Sequence, residues 1–115
     1  MNFILKVLIT GLIAYLLPAI LPGVKIVDMK TAALFALVLA LLNAVIKPVL
    51  VILTIPVTIL SLGLFLLVIN AFMVLLTANL FKGVYVDGFW WALIFSILLS
   101  IGSSVLYSLV GGRSN

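Results

Sequence analysis

The residues able to do chemistry are few, and they sit inside apolar runs. Asn43 and Lys47 are the polar side chains between Thr31 and Thr54. They lie one helical turn apart, and at 100° per residue they share a face with Ala36, Ala40 and Ala44. A cation there has two uses. It snorkels along its stem to the headgroups, or it points into a bundle, where its cost marks a working site. Pro48 follows Lys47 directly, and Pro56 lies eight residues on. In the next run Asn70 and Thr77 share a face at a spacing of seven, with Asn79 near its end. Such groups bond across helices for about 0.6 kcal/mol each, which is glue more than mechanism.

What is missing is equally informative. The sequence has no cysteine and no histidine, and its acidic side chains are Asp28 and Asp87 alone, each in a predicted loop. Disulfides, thiolate or imidazole metal sites, histidine-based triads and carboxylate proton relays are therefore excluded. No nucleophile–base pair presents itself, so no catalytic residue, cofactor or metal ligand is assigned and no enzyme is expected. The net charge of +4 comes from six scattered basic residues with no basic run or stacking platform, so no nucleic-acid partner is expected.

The elements that must carry these groups follow from composition. Of 115 residues, 68% are hydrophobic and 7% charged, with a mean hydropathy of +1.62. A soluble domain of this size could not hide so much apolar surface. At about 20 residues per crossing the length accommodates four spans. The sequence predicts an all-α integral membrane protein: one transmembrane domain over 1–115, with spans near 3–21, 31–53, 57–81 and 89–110. The first span is read as uncleaved. Polar loops fall at Gly23–Lys30 and Lys82–Gly88. A proline break falls near 48–56, because proline disfavours helix in the residue before it. A rival parsing makes 48–61 a re-entrant or interfacial hairpin. Trp90 and Trp91 open the last span, where amphipathic rings favour the interface.

Two ladders of small residues suggest how the spans meet. Ala32, Ala36, Ala40 and Ala44 recur at every fourth position; Ala92, Ser96, Ser100 and Ser104 do the same 60 residues later, extended by Ser108. In lipid, small side chains let helix backbones approach closely. The offset also matches Gly23-Val24 with Gly83-Val84, Phe35 with Phe95, Leu39 with Leu99, and Thr10 with Asn70. Ser103 and Tyr107 fall opposite Asn43 and Lys47. The chain thus reads as two similar helical hairpins, repeated in parallel. Ala36, Ala40, Ala44, Ser96, Ser100 and Ser104 are the expected packing positions. Membrane lipids and further copies of the chain are the expected partners. Basic residues tie at three per side; the free amino terminus places both termini in the cytoplasm.

The run Asn43-Ala-Val-Ile-Lys47-Pro48, then Pro56-Val-Thr58, Gly63-Leu-Phe65 and Asn70, resembles the four-transmembrane phage holin family, superfamily IV. Val86-Asp-Gly88-Phe89-Trp90 fits the same pattern, and the resemblance covers about 31–100. It implies a four-helix protein of the bacterial inner membrane. Three functional readings follow. The first is a holin-like protein that oligomerises and makes the membrane permeable, with Asn43, Lys47, Pro48, Pro56 and Asn70 as its candidate polar site. The second is a channel or carrier for a small solute, ion or lipid. The third is a non-conducting structural protein of the envelope.

Overall fold

A computed structural model describes residues 2–111. Asn2 caps α1 (Phe3–Leu16) by accepting the Leu5 N–H, and a 3-10 turn over Leu17–Ala19 carries Pro18 in its first turn, where a missing N–H costs little. Helix α2 (Met29–Leu53) starts at Asp28, whose carboxylate accepts the Thr31 N–H at 2.8 Å. Pro48 lies inside α2, which continues for five further residues. The break comes at Thr54, and Pro56 occupies the first turn of the short α3 (Ile55–Leu60). Helix α4 spans Phe65–Ala78, and α5 spans Phe89–Gly111.

The apolar stretch expected as a helix over 57–81 is divided. Leu62 and Gly63 take positive φ values of 56° and 89° between α3 and α4. Two successive left-handed residues cannot continue a right-handed helix. Ser61 Oγ then accepts the Phe65 N–H at 3.0 Å, giving α4 its first partner. The all-α expectation also needs correction. The two polar loops pair as antiparallel strands, β1 (Val24–Ile26) and β2 (Val84–Val86), with Lys25 opposite Tyr85. Bonds from Val27 N–H to the Gly83 carbonyl (2.8 Å) and from Asp87 N–H to the Gly23 carbonyl (2.7 Å) flank the ribbon.

These flanking bonds are equivalents at the 60-residue offset, so an approximate two-fold axis passes through the Lys25–Tyr85 pair. It relates α1-β1-α2 to α4-β2-α5, and the two hairpins run parallel. The four long helices close a ring in which α1 contacts α2, α2 contacts α4, α4 contacts α5, and α5 contacts α1. Small residues allow these approaches. A Cβ on Gly11 would stand 3.1 Å from the Ala33 backbone on α2, and one on Gly23 would fall 2.2 Å from the Trp91 ring.

Burial repeats with the sequence. Ile9 and Ile69, Ala14 and Val74, Ala32 and Ala92, Phe35 and Phe95, and Leu39 and Leu99 are all buried. Phe35 and Phe95 meet edge to face at 6.0 Å between centroids, and Phe81 adds a third ring 6.3 Å from Phe35. This aromatic layer fills the ring of helices next to the ribbon. The outside is apolar, with Leu8, Leu12, Leu34, Leu41, Phe72, Ile94, Ile101 and Val105 all exposed.

Candidate functional site

Away from the ribbon the same ring of helices becomes polar inside. Helix α1 contributes Thr10, α2 Asn43, α4 Asn70, and α5 Ser96, Ser100, Ser103, Ser104 and Tyr107 to one cavity of about 250 Å³. Leu39, Val74 and Leu99 form its apolar floor towards the aromatic layer. An adjoining pocket of about 170 Å³ shares Thr10, Leu39, Asn43 and Tyr107 and extends past Ala40 to Phe3 and Lys6. The polar space therefore reaches towards the end of the bundle that carries the amino terminus.

Hydrogen bonds tie the walls together, among them a long one of 3.4 Å from the Tyr107 hydroxyl to the Lys6 carbonyl. Lys47 Nζ donates to Asn70 Oδ1 at 2.5 Å, joining α2 to α4. Thr10 Oγ1 and the Tyr107 hydroxyl share a bond of 2.7 Å, joining α1 to α5. Lys47 and Tyr107 are repeat equivalents, as are Asn70 and Thr10, so these are one interaction made twice with different chemistry. Asn43 and Ser103 form a third equivalent pair. Asn43 Oδ1 and Ser103 Oγ are buried without a protein partner. Ser103 is only 4% exposed. An orphaned buried polar atom costs about 1–3 kcal/mol, more where lipid is the alternative solvent, unless water or a ligand meets it.

The candidate residues divide between this cavity and other places. Asn43 and Asn70 line the cavity, and Lys47 is bound to it through Asn70. Pro48 and Pro56 are exposed and line neither pocket. Of the ladders, Ala36 and Ser96 are buried and Ala40 is half-buried against the adjoining pocket. Ala44 is exposed, and Ser100 and Ser104 are exposed where they line the cavity. Small residues thus pack the ribbon half and open the other half. Thr77 does not bridge helices: its hydroxyl donates to the Met73 carbonyl at 2.8 Å within α4. Ser96 likewise donates to Leu93 in α5. Thr10, Ser103 and Tyr107 line the cavity although they are not among the expected site residues; the 60-residue offset, which pairs them with Asn70, Asn43 and Lys47, is the signal that points to them.

Electrostatics differ between the two ends. At the ribbon end, the hydrogen bonds from Thr31 hold the Asp28 carboxyl below its ordinary 3.8. The charge of Asp87 pushes the Tyr85 phenol up. The cavity end has Lys6 and Lys47 and no acidic side chain.

An apolar exterior over long apolar helices, with a polar cavity inside one half of the bundle, is the arrangement of a helical membrane protein. Helices α2 and α5 are long and apolar enough to cross a bilayer, and Phe3–Ala19 and Phe65–Ala78 are shorter apolar helices. The chain belongs to phage holin superfamily IV: the family model described as "Mycobacterial 4 TMS phage holin, superfamily IV" matches residues 1–105. This is a membrane family and not a known enzyme family. The chain is 36% identical to "Uncharacterized membrane protein YvlD" of Bacillus subtilis (strain 168) over 97 residues, 84% of this chain and 82% of that one. It is 46% identical to "Uncharacterized protein SCO3922" of Streptomyces coelicolor over 80 residues, 66% of this chain and 64% of that one. No solved structure matches it.

Proposed function

We propose that the chain crosses the bacterial plasma membrane four times and acts as a holin-like protein that lets water and small polar solutes into the bilayer interior. Its termini face the cytoplasm, and α1, α2, α4 and α5 are the spans. At 14 residues α4 covers roughly 21 Å, so the apolar α3 and the turn before α4 complete that crossing. The observation that carries the reading is the polar cavity, with Asn43 and Ser103 unpartnered at a depth where lipid offers no hydrogen bonds. Further copies associate through the small residues that the chain leaves exposed, Ala44 above all, since close approach drives association in lipid. In that assembly the polar faces of several copies border the passage, so the aromatic floor within one copy does not close it, and no covalent chemistry is required.

Controlled expression with a potential-sensitive dye tests this. Wild type is expected to depolarise the membrane, and Ser103→Phe, which fills the cavity, is expected to preserve the potential. An intact potential with wild type, or equal depolarisation by the filled variant, would overturn the reading. A second reading, a carrier, is favoured by the aromatic layer of Phe35, Phe81 and Phe95, which stands between the cavity and the ribbon. A dead-end cavity suits binding from one side. Saturable solute uptake into proteoliposomes without depolarisation would select it.

A further inference from the structure

The cavity's charge says what it holds. Two cations stand beside it: Lys47, outside the lining but bonded to Asn70 on the cavity wall, and Lys6, which lines the adjoining pocket. The two acidic side chains of the sequence, Asp28 and Asp87, both lie beside the ribbon, beyond the aromatic layer. A metal cation or an ammonium would therefore meet two like charges and no acidic side chain to offset them. An apolar guest would leave the Ser103 hydroxyl orphaned at a cost of about 1–3 kcal/mol, while Asn43 Oδ1, an acceptor, needs a donor such as water. Donors are plentiful instead. Lys47 uses one of its three N–H groups on Asn70, Ser100, Ser103 and Ser104 line the cavity, and the Asn43 amide can offer its NH2. Donors of this kind, with a cation among them, suit an oxyanion, because charge-assisted bonds are about twice as strong as neutral ones.

We propose that the cavity is a phosphate site that takes a phosphoryl group from the terminus side, with Lys47 as its cation and Ser103 as its innermost donor. The phosphoryl group belongs to an anionic lipid headgroup or to a free phosphate; both present the same tetrahedral oxyanion. The inference rests on the cavity being open to polar species, as the proposed function has it. It goes further in naming the species and in requiring Lys47 as a ligand instead of a headgroup anchor.

The full chain in phosphatidylcholine nanodiscs provides the test, with thermal unfolding followed by the fluorescence of Trp90 and Trp91. One arm adds inorganic phosphate at constant ionic strength; the other replaces part of the lipid with phosphatidylglycerol. A rise in Tm in either arm is expected, and the arm that responds identifies the source. Lys47→Gln should reduce the apparent affinity at least tenfold, and Ser103→Ala should weaken it with the fold retained. Lys25→Gln, at the ribbon end, should leave it unchanged. No rise in either arm would overturn the proposal. So would a rise that Lys47→Gln and Ser103→Ala both leave intact, or one that Lys25→Gln abolishes. Depolarisation by wild type alongside a failed phosphate response would sink this inference and leave the proposed function standing.

Discussion

The hairpin up to Leu53 and the hairpin from Phe65 bury most of the same positions yet carry different polar groups. Along α2 and α5 burial is nearly superimposable at the 60-residue offset: Ala32 with Ala92, Phe35 with Phe95, and Leu39 with Leu99. The polar equivalents diverge, with Lys47 against Tyr107, Asn43 against Ser103, and Asn70 against Thr10. The shared part is a packing solution, in which small residues admit backbones and one large ring per hairpin fills the centre. The divergent part is chemistry, and it all falls on one cavity. The repeated pattern keeps its contacts in both halves and places Lys47 in one of them, where the other has Tyr107.

Matched substitutions in the two halves test that division. The largest effect is expected from Phe35→Ala and Phe95→Ala. Each removes a fully buried ring and should cost about 3–5 kcal/mol in unfolding titrations, with similar losses in the two halves. A large difference between them would break the equivalence of the scaffolds. Next comes Gly23→Ala, expected to cost about 1–3 kcal/mol, because a rigid Trp91 ring occupies the place of the new Cβ. Its mate Gly83→Ala meets the end of the Val27 side chain and should cost less. A red shift of tryptophan emission in Gly23→Ala alone would report the displaced ring.

Smaller effects separate the chemistries. Tyr107→Phe removes the hydroxyl that bonds Thr10 and the Lys6 carbonyl and should cost about 0.6 kcal/mol per bond lost. It should change depolarisation less than Lys47→Met, which should reduce both stability and activity. Full activity in Lys47→Met, with normal insertion, would make that cation an interfacial anchor. The smallest effect is the cap at Asp28. Its carboxyl titrates below the ordinary value in the fold, so the stability it adds is present above that value and is lost as pH falls through the lowered one. The gap in Tm between wild type and Asp28→Ala should therefore stand at neutral pH and close in acid.

Much of the scaffold is legible in the sequence because lipid makes its rules simple. Long apolar runs give the helices, and the repeat of Gly23-Val24 at Gly83-Val84 marks where the hairpins meet. The ribbon escapes a reading by hydropathy: each strand is three residues long, and its pairing partner lies 60 residues away. The turn at Leu62 escapes as well, since apolar composition carries no sign of a positive φ at a leucine. For the site, Asn43, Lys47 and Asn70 stand out as polar residues in apolar runs. Ser100 and Ser104 are harder to read. A small residue that admits a neighbouring helix and one that lines a cavity look alike until burial separates them.

The most direct measurement is the reaction of Ser103→Cys with a membrane-impermeant thiol reagent in oriented vesicles, which the absence of native cysteine makes clean. With a polar cavity open towards the termini, Ser103→Cys should react from that side and stay protected from the other, while Phe95→Cys in the aromatic layer reacts from neither. Protection of Ser103→Cys from both sides, or equal reaction of Phe95→Cys, would contradict a wet cavity closed by its aromatic floor.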